Sequence, residues 1–571
     1  MLFSELASYF KQLERTASRN AMTEILAGLF KRANQQEIGE LCYLLLGRVV
    51  PLYEAVEFGV ADKFVIRAIA LAYQVSEDAV TREFKKFGDL GAAAETLHKG
   101  SGNLTVSDVY KKLDALARVG GEGSQEKKIS ILSELLKNID ATSARYLVRI
   151  PLDKLRLGFS DMTILDALSW MESGDKSLRP RLEAAYNVRP DIGYLAMTVK
   201  ASGVKGLARV RVKIGAPILA SLCARLPNAD EMIKKMGEVA VEPKYDGVRV
   251  QIHFKRGMFV SSYSRNLENT TAMFPELDEI GSELAADEVI LDSEAIGYDK
   301  VHDTLISFQE TMTRKRKHGI AEASKTMPLK FFVFDILYKN GKELLSLPLN
   351  ERRKLLETTL KQKENRHLML SPEIVTSDAN DIRRYHDEQL KKGLEGAVVK
   401  KWDSVYEPGR TGYHWVKFKE EEGKTGKLTD TIDAVIMGYS RGEGKRSTFG
   451  IGMFLVGVRS GYSYVTITKI GTGVSDELWR DFHKKLNSIK VTKQPKEYKD
   501  VNKMFTPDVW VAPKIVVEIA GDDLTKSSNH GAGIAVRFPR LVRIRTDKSP
   551  RDATTVEEVR EMFRNQKQST V

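Results

Sequence analysis

Residues 241–254 read VEPKYDGVRVQIHF, and this stretch is the most informative part of the sequence. After Gly247, apolar and polar residues alternate: the apolar set is Val248, Val250, Ile252 and Phe254, and the polar set is Arg249, Gln251 and His253. Successive side chains of a strand point to opposite sides, so the pattern predicts a β-strand with one apolar and one polar face. Lys244 then lies in the turn that leads into this strand.

Two interpretations of Lys244 are open from this stretch alone. A lysine amine attacks carbon or phosphorus only when it is unprotonated, and a free lysine has a pKa of about 10.4. A nucleophilic lysine therefore needs desolvation or cationic neighbours, which Arg249 and a bound metal ion would supply. The alternative is a solvated lysine beside an ordinary β-turn, since Asp246 and Gly247 are common turn residues.

The size and charge of the chain limit what it can be. At 571 residues it exceeds what one hydrophobic core organises, and the length predicts three or four domains. Lysine and arginine number 89 against 77 acidic residues, which gives a formal net charge of +12. Such an excess favours polyanionic partners through phosphate contacts, although many basic proteins have no such partner.

The cysteines and apolar runs exclude several classes of protein. Cys42 and Cys223 are the only cysteines, too few for a disulfide framework or a four-cysteine zinc site. No apolar run approaches the roughly 20 residues that span a bilayer, and LCYLLLG at residues 41–47 is predicted to be a short buried segment. We therefore expect a soluble cytoplasmic protein without a signal peptide.

Residues 1–212 are predicted to form an all-helical domain, because leucine and alanine recur at spacings of three and four. The first helix should bury one face, made of Phe3, Leu6, Ala7, Phe10 and Leu13. GEGSQEKK at residues 121–128 predicts either a phosphate-binding helix N-terminus or a simple N-cap at Ser124. A basic run follows, which either extends a basic surface or is a solvated face; its members are Arg145, Arg149, Lys154 and Arg156.

The rest of the chain changes character twice. Residues 213–425 mix strands rich in valine, isoleucine and phenylalanine with helical stretches such as residues 350–360, which predicts an α+β domain. Residues 426–571 contain glycine-rich turns between five candidate strands: IDAVIMGY, GMFLVGV, YSYVTITKI, KIVVEIAG and GIAVRFPRLVRIR. Five short strands in this length are typical of a small β-barrel of the oligonucleotide-binding (OB) type. The final residues, FRNQKQSTV, are predicted to fray.

Polar groups recur inside predicted strands of the middle domain; they are Asp292, Glu294, Asp335, Glu395, Lys400, Lys417 and Lys419. An unpaired charge among apolar neighbours is costly, so each group needs a partner. Taken singly, a strand acid is more often an edge or turn residue, and paired lysines are more often solvated. Together with Lys244 and an aromatic to stack on a base, the set predicts phosphoryl or nucleotidyl transfer.

The ordered set KYDGVR, SRN, LDSE, FFVFD, LEGAVVKK and WVKFK resembles motifs I, Ia, III, IIIa, IV and V of the covalent nucleotidyltransferases. The chain is most similar to ATP-dependent DNA ligases of the archaeal and eukaryotic replicative type. The similarity covers nearly the whole chain, including GEGSQ, GAPILASL and RFPRLVRIRTDKSPRDATT. It implies a helical DNA-binding domain, an ATP-grasp-like nucleotidyltransferase domain and a C-terminal OB-fold barrel.

The resemblance also implies an activity and a set of roles. Lys244 would attack ATP to form a lysyl-AMP, the AMP would pass to the 5′-phosphate of a nick, and the 3′-hydroxyl would displace it. The implied nucleotide-binding residues are Glu242, Arg249, Arg265, Glu294, Phe334, Arg410 and Lys417, with Glu294 and Glu395 placing Mg²⁺ or Mn²⁺. Replication, repair and recombination are the expected processes, and nicked duplex DNA is the expected partner of a nucleoid-associated monomer.

Three further features bear on this expectation. The family usually has an arginine six residues before the first motif V lysine, but Thr411 stands there and Arg410 precedes it. A basic segment near the C-terminus is expected to close over ATP by rotation at a hinge in residues 421–427; its members are Arg537, Arg540, Arg543, Arg545, Lys548 and Arg551. A sliding clamp is a possible partner, although residues 95–110 lack the expected glutamine and phenylalanine pattern.

Other classes remain as alternatives. An RNA ligase or capping enzyme shares the lysine motif, but the large helical domain and the RFPR and DKSP sequences disfavour it. NAD-dependent ligation is disfavoured because two cysteines cannot build a four-cysteine zinc module. A non-catalytic DNA clamp is disfavoured because Lys244, Glu294 and Glu395 are all present.

Overall fold

The computed structural model describes residues 1–568 except for 17, 156, 300–303, 307–327, 362–364, 410–411, 419–430, 443–445, 447–448, 473 and 475. The chain divides into two compact units. The first comprises Met1–Leu390 and Leu394–Phe418, and the second comprises Lys391–Gly393 and Lys419–Val571.

The first unit begins with a helical region that has one continuous hydrophobic core. Its helices are α1 Phe3–Glu14, α2 Arg19–Arg32, α3 Gln35–Leu45, α4 Asp62–Tyr73, α5 Glu77–Phe87, α6 Leu90–Leu97, α7 Val106–Arg118, α8 Ser124–Lys137, α9 Ala141–Arg149, α10 Asp161–Ser173, α11 Arg179–Val188 and α12 Ile192–Ser202. The five apolar residues predicted for the first helix are its buried residues, and LCYLLLG lies in and just after the buried helix α3. Both predictions are confirmed.

Two other predictions for this region are wrong. Helix α8 has Gly123, with a φ of 74°, as its N-cap, so Ser124 is the first helical residue and not the cap. The described part of the basic run is not an open basic surface, because its cations are ion-paired. Arg149 is buried against Glu14 and Asp89, Arg145 pairs with Glu14 and Glu95, and Lys154 pairs with Asp62. Arg156 lies outside the described residues.

The remainder of the first unit combines strands and helices. Its elements are α13 Ala229–Met236, β1 Val239–Pro243, β2 Val248–Lys255, β3 Phe259–Ser264, β4 Glu288–Asp299, β5 Thr304–Leu305, β6 Leu329–Lys339, β7 Lys342–Glu343, α14 Leu349–Thr359, β8 Leu368–Leu370, β9 Ile374–Thr376, α15 Ala379–Lys391, β10 Ala397–Lys401 and β11 Trp415–Phe418. One sheet has the order β11–β10–β1–β9, and another has the order β3–β2–β4–β6–β7. Strands β5 and β8 join the second sheet beside β4 and β6. Residues 244–247 therefore connect the two sheets.

Each sheet of this unit buries one apolar face in its own core. Val241, Val399, Val416 and Phe418 line one core, and Val250, Ile252 and Phe254 line the other. The opposite faces contribute Ile290, Phe334 and Trp415 to a third apolar cluster, together with Tyr406 and Ile218. The two sheets thus face each other across this cluster, and the polar side chains on these faces meet there.

The strand predicted after Gly247 is confirmed as β2, but its polar face is buried. Gln251 is 5% exposed and His253 is fully buried. The chain just before the sheets covers them: the Ile218 amide donates to Gln251 Oε1 at 2.8 Å, and the Gly215 amide donates to His253 Nδ1 at 3.1 Å. Two-residue alternation predicts which residues share a face, but not that both faces are covered.

The second unit contains the C-terminal strands and two helices. Its elements are β12 Ile432–Ser440, β13 Met453–Ser460, β14 Ser463–Ile470, α16 Asp476–Asn487, β15 Lys490–Val491, β16 Tyr498–Lys499, β17 Val509–Val511, β18 Val516–Ala520, β19 Asp523–Lys526, β20 Ile534–Arg537, β21 Arg540–Ile544 and α17 Val556–Gln568. Most of the strands form a curled sheet of order β15–β17–β12–β13–β14–β16, with β18 joining β12 to β21. This arrangement fits the predicted OB-type barrel.

Two details of this unit differ from expectation. The segment GIAVRFPRLVRIR forms two strands, because the chain turns at Phe538 with a φ of 51°. The end of the chain is helical through Gln568 and not frayed before that residue. Several basic residues near the C-terminus are paired with acids: Arg540 with Asp522, Arg543 with Glu518, and Arg545 and Lys548 with Asp433. Among the described helices, none is long and apolar enough to cross a bilayer.

Candidate active site

Lys244 lies where the chain leaves β1 for the other sheet, and neighbouring backbone fixes its position. Its amide donates to the Gly396 carbonyl at 2.8 Å, and the Glu395 amide donates to its carbonyl at 3.1 Å. The Lys244 ammonium is ion-paired with Glu395, and the lysine side chain is 21% exposed. A solvated turn lysine does not fit this geometry.

Gly247 explains how the Lys244 loop approaches the second sheet so closely. A Cβ atom at this position would lie 2.5 Å from the Ala295 carbonyl oxygen and 2.9 Å from Cγ of Glu294, both on β4. These separations are shorter than van der Waals contact, so only glycine allows this approach. The glycine therefore brings Lys244 and Glu294 into one site.

The face of the first sheet opposite its core carries polar groups. The strand register places Glu242 beside Val398 and Val398 beside Lys417, so the three residues form one row across β1, β10 and β11. Lys400 and Trp415 lie two residues further along on the same face. Lys400 donates to Glu242 Oε1 at 2.6 Å, and both side chains are buried.

Phe334 comes from β6 of the other sheet and packs against this face. Its ring is 5.9 Å from the Trp415 ring in an edge-to-face arrangement. The Lys400 ammonium lies 4.5 Å from the Phe334 centroid and 4.3 Å from the Trp415 centroid, within the range of cation–π attraction. Phe334 and Trp415 thus form an aromatic wall beside the buried Lys400–Glu242 pair.

Arg249 on β2 is held by a buried ion pair. Its Nε and Nη2 donate to the two carboxylate oxygens of Asp292 at 3.0 and 2.6 Å, and Nη1 donates to the Ser221 carbonyl at 2.6 Å. Tyr406 donates its hydroxyl to Asp292 at 2.8 Å. Although burial disfavours a charged guanidinium, Asp292 holds the pKa of Arg249 above its ordinary value. Asp292 is therefore the partner of Arg249.

Glu294 is the other acid of β4 on this face, and the strand register sets it opposite Arg249. Burial raises the pKa of the Glu294 carboxyl to about 8, while the charges of Arg249 and Lys244 oppose the shift. A carboxyl with this pKa is protonated at neutral pH unless further positive charge approaches it. Glu294 is thus a neutral carboxyl that ionises when more positive charge comes near it.

The remaining predicted residues are distributed around this centre. Arg265 is exposed just after β3, and it lines one cavity together with Arg249 and Asp292. Burial raises the pKa of the Cys223 thiol. Four nearby cations oppose this shift: Arg249, Lys400, Lys244 and Lys417. Arg410, Thr411 and Lys419 lie outside the described residues.

Three parts of the chain match models of known protein families. Family models described as DNA ligase N terminus, ATP dependent DNA ligase domain and ATP dependent DNA ligase C terminal region match residues 2–169, 217–419 and 447–548. A probable DNA ligase of Dictyoglomus thermophilum is 44% identical over 583 aligned residues, which cover 100% of this chain and 99% of the relative. The chain belongs to the ATP-dependent DNA ligase family.

Further relatives agree with this assignment. DNA ligase 2 of Thermofilum pendens is 37% identical, and the alignment covers 100% of this chain and 98% of that protein. The solved structure titled Pmar-Lig_PreS3 is 16% identical with a TM-score of 0.54, covering 94% of this chain and 99% of that one, so it supports the shared fold. The predicted family and fold class are confirmed, as is the prediction of a ligase that uses ATP and a divalent metal cation.

The carboxylates of this DNA ligase fit a magnesium ion that is shared with a nucleotide. Among the residues described, no group of three or more histidine, cysteine or acidic side chains could hold a metal by itself. Mg²⁺ is commonly bound by one or two carboxylates together with substrate phosphates and waters. Glu395, which is paired with Lys244, and Glu294, whose carboxyl feels the charge of Lys244, fit such a smaller set.

Several residues of the site were not assigned a role from the sequence. Tyr406 and Asp292 form a network around Arg249, and Lys400 pairs with Glu242 inside the aromatic wall. The sequence could have indicated Lys400, because two-residue alternation places it on the same face of β10 as Val398, whose strand neighbours are Glu242 and Lys417. It could not have indicated Tyr406 and Cys223, because they reach the site from loops whose course depends on the whole fold.

Proposed function

We propose that Lys244 is the nucleophile that carries AMP in this DNA ligase. The observation that supports the proposal most strongly is the fixed position of Lys244 between the sheets, with its amine paired to Glu395. Arg249, Lys400 and Lys417 act together with Lys244 on the buried Cys223 thiol, so the site is rich in positive charge. Cations near the reacting phosphorus stabilise the negative charge that develops on its oxygens.

In the first step, the Lys244 nitrogen forms a bond to the α-phosphorus of ATP while the bond from that phosphorus to the bridging oxygen breaks. Pyrophosphate leaves with the electron pair, and Lys244 loses a proton, for which Glu395 is the adjacent acceptor. The 5′-phosphate of a nick then takes the AMP from Lys244. Finally, the 3′-hydroxyl attacks that 5′-phosphate, AMP leaves, and the strand is sealed.

The nucleoside would be held by residues of both sheets. We assign Phe334 to stacking on the base and Glu242, with its neighbouring backbone, to contact with the base edge. Arg249, Arg265 and Glu294 are assigned to the ribose and phosphate. The ion pair with Asp292 occupies two N–H donors of Arg249, so only the remaining donors can reach the nucleotide. The pair also fixes the guanidinium before the nucleotide binds.

Lys417 is assigned to the α-phosphate, because it shares the row of Glu242 and Val398 and belongs to the same set of cations as Lys244. Glu294 and Glu395 are assigned to magnesium or manganese, which when bound neutralises charge on the phosphates. The approach of this charge favours the ionised form of Glu294. Arg410 is assigned to the ribose or phosphate on the strength of the sequence alone.

We also propose three domains: residues 1–212 for DNA binding, 213–425 for nucleotidyl transfer and 426–571 as the OB-fold domain. The last helical turn of the helical region ends at Arg209 and the first strand begins at Val239, which supports the first boundary. The segment proposed as a hinge, residues 421–427, lies outside the described residues. We further propose a monomer that acts at the nucleoid, with a sliding clamp as a candidate partner.

The experiment that tests the nucleophile is incubation with α-labelled ATP and magnesium, followed by denaturing electrophoresis. We expect label on the wild-type protein and none on Lys244→Ala. Lys234→Ala is a matched control, because Lys234 is an exposed lysine of α13 whose side chain is 77% exposed. Unchanged labelling of Lys244→Ala would rule out this lysine, and an unlabelled wild type would rule out the covalent mechanism.

The acceptor is tested by supplying nicked duplex DNA or nicked duplex RNA of one sequence to the labelled protein. We expect label to leave the protein and the DNA strand to be sealed. Sealing of both substrates at equal rates would contradict the DNA assignment and favour the RNA ligase alternative. Binding without label transfer to either would favour a non-catalytic clamp.

A further inference from the structure

A second ion pair, Arg353–Glu373, lies beside the buried Lys400–Glu242 pair in the part of the site that we assign to the nucleobase. Arg353 on α14 is 7% exposed, and its Nε lies 3.3 Å from a carboxylate oxygen of Glu373. The register of β1 and β9 sets Val241 opposite Ile374, so the next position of this antiparallel pair brings Glu373 beside Glu242. Two acids, Glu242 and Glu373, and two cations, Lys400 and Arg353, are therefore grouped together.

The alternation of side chains places these charges on the nucleotide side of the sheet. Val241 packs in the apolar core of the sheet, and Ile374 packs against that core. Glu242 and Glu373 follow and precede these residues, so their side chains lie on the other face, with Lys400. The charges of Glu242 and Glu373 interact, since that of Glu242 helps to raise the pKa of Glu373, which burial brings to about 7.

The Arg353–Glu373 pair is incompletely satisfied. Arg353 Nη2 donates to the Ser371 carbonyl at 2.8 Å, and its Nε also reaches Glu357 at 3.1 Å. Arg353 Nη1 and Glu373 Oε2 are buried without a hydrogen-bond partner among the described residues. Unsatisfied buried polar atoms reduce stability, so this pair stabilises the fold less than apolar side chains of the same size would. A role in recognition accounts for polar groups at this place.

We propose that Arg353, held beside Glu242 by Glu373, Glu357 and the Ser371 carbonyl, is a positioning residue whose charge keeps the Glu242 carboxylate a hydrogen-bond acceptor at the base site and thereby sets the preference for a 6-aminopurine nucleotide. The proposal rests on the proposed function, because it takes the space beside Phe334 as the base site. It deepens that function by naming the substrate feature that is read.

The physical basis is the difference between a carboxylate and a carboxylic acid. An ionised carboxylate only accepts hydrogen bonds, so it favours the 6-amino group of adenine and repels the 6-oxo group of hypoxanthine or guanine. A protonated carboxyl can donate and would tolerate the oxo group. Burial raises the pKa of Glu242, while the charges of Lys400 and Arg353 oppose that shift. Arg353 therefore helps to keep Glu242 in its acceptor-only form.

Substitution of the two partners should have different effects. Arg353→Met removes a charge that keeps Glu242 ionised, so the preference for ATP should fall by about tenfold or more, the range expected for a hydrogen bond to a charged group. Arg353→Lys keeps the charge and should retain most of the preference. Glu373→Gln removes only the acid, leaving Arg353 bound to Ser371 and Glu357, so the preference should be retained or increased.

The test compares ATP with ITP, whose base differs from adenine at position 6 by an oxo group in place of the amino group. Pyrophosphate release in a single turnover, with magnesium and without DNA, is measured against nucleotide concentration for wild type and the three variants. The expected loss in Arg353→Met is a higher KM for ATP with a maximal rate within about threefold of wild type, because Lys244 is unchanged. Thermal unfolding shows that each variant is folded.

The outcomes separate this inference from the proposed function. No pyrophosphate release by wild type, or release that persists in Lys244→Ala, overturns the proposed function. Release that depends on Lys244, with an ATP-to-ITP ratio that Arg353→Met leaves within twofold of wild type, overturns this inference alone. Equal losses of preference in Arg353→Met and Glu373→Gln also overturn it, since they indicate a general loss of packing. If Arg353→Met does not fold, Arg353→Gln keeps donors without charge, and the same loss is expected.

Discussion

Arg352 and Asp335 form a buried ion pair next to the aromatic wall. Neither side chain is exposed, and two hydrogen bonds of 2.8 and 2.9 Å join the guanidinium to the carboxylate. Such a pair gains little over apolar residues of the same size, but removal of one partner leaves a buried charge uncompensated. Asp335 directly follows Phe334, yet its carboxylate is committed to Arg352 and its role is structural.

We therefore predict that Asp335→Asn lowers the free energy of unfolding by about 3 to 5 kcal/mol. The double variant Asp335→Leu with Arg352→Met should recover most of this loss, because it removes both charges together. Urea unfolding of the full chain measures the stability, and labelling with saturating ATP measures the chemistry. A loss of labelling without a loss of stability in Asp335→Asn would instead assign Asp335 to catalysis.

His253 is a second residue whose burial has a measurable consequence. Burial lowers its pKa to about 3, and its Nδ1 accepts a hydrogen bond from the Gly215 amide. The imidazole is thus neutral in the folded protein, whereas it becomes charged near pH 6.5 in the unfolded chain. Below pH 6.5 the unfolded state binds more protons, so stability is lost as the pH falls.

Acidification from pH 6.5 to 5 should therefore cost roughly 2 kcal/mol through His253 alone. His253→Gln keeps an acceptor for Gly215 but does not titrate, so its stability should fall less over this interval. Calorimetric unfolding of both proteins at the two pH values measures the difference. Parallel losses in wild type and variant would show that His253 is not responsible.

At the scale of single elements, the approach of two helices depends on one glycine. A Cβ atom on Gly91 of α6 would lie 2.5 Å from the Arg145 carbonyl oxygen of α9. Gly28 of α2 is also helical, but a Cβ there would meet nothing within 4 Å. The same substitution thus has opposite expected effects at the two positions.

Gly91→Ala should destabilise the helical region by about 1 to 3 kcal/mol, because the α6–α9 backbones must move apart. Gly28→Ala should stabilise it by up to about 1 kcal/mol, because alanine restricts the unfolded chain more than glycine does. Hydrogen exchange of the α6 and α9 amides, followed by mass spectrometry, measures both effects. Equal protection in the two variants would contradict the close approach.

The loop between the two sheets provides a catalytic counterpart. Gly247→Ala should displace the Lys244 loop from β4 and slow labelling by ATP by about 10- to 100-fold, since small misplacements of reacting groups are costly. Gly257→Ala is the control, because a Cβ there meets open space, although its φ of 69° adds some strain. Labelling rates of the two variants within twofold of each other would indicate that the Lys244 loop tolerates the added atom.

Sequence patterns predicted elements better than they predicted partners. Local periodicity, which depends on residues close in the chain, predicts the β2 strand and the buried face of α1. It also predicts the strands that carry LDSE, FFVFD, LEGAVVKK and WVKFK, which are β4, β6, β10 and β11. The pairs Arg249–Asp292, Arg352–Asp335 and Arg149–Glu14 do not, because each depends on how separate elements meet. The division of GIAVRFPRLVRIR into β20 and β21 was missed because a positive φ at the single residue Phe538 splits a segment that was predicted to be one strand.

At the scale of the whole molecule, the net charge of +12 predicts salt-sensitive binding of nicked duplex DNA. If the domains together contact many phosphates, log affinity should fall linearly with log salt, with a slope near −0.9 per phosphate contact. Titration of the full chain against nicked DNA at several salt concentrations measures this slope, with an intact duplex as control. A flat response would argue against a wide phosphate footprint.

The ion pairs of the helical region have a consequence for how the chain is made. Glu14, at the end of α1, binds Arg149, at the end of α9, across 135 residues of sequence. Synthesis at 5 to 20 residues per second separates the appearance of these partners by roughly 7 to 27 seconds. During that interval the apolar face of α1 has emerged without α9, whose Tyr146 packs against Phe10. We therefore expect the packing of the first helix of this ligase to be completed only after α9 has left the ribosome.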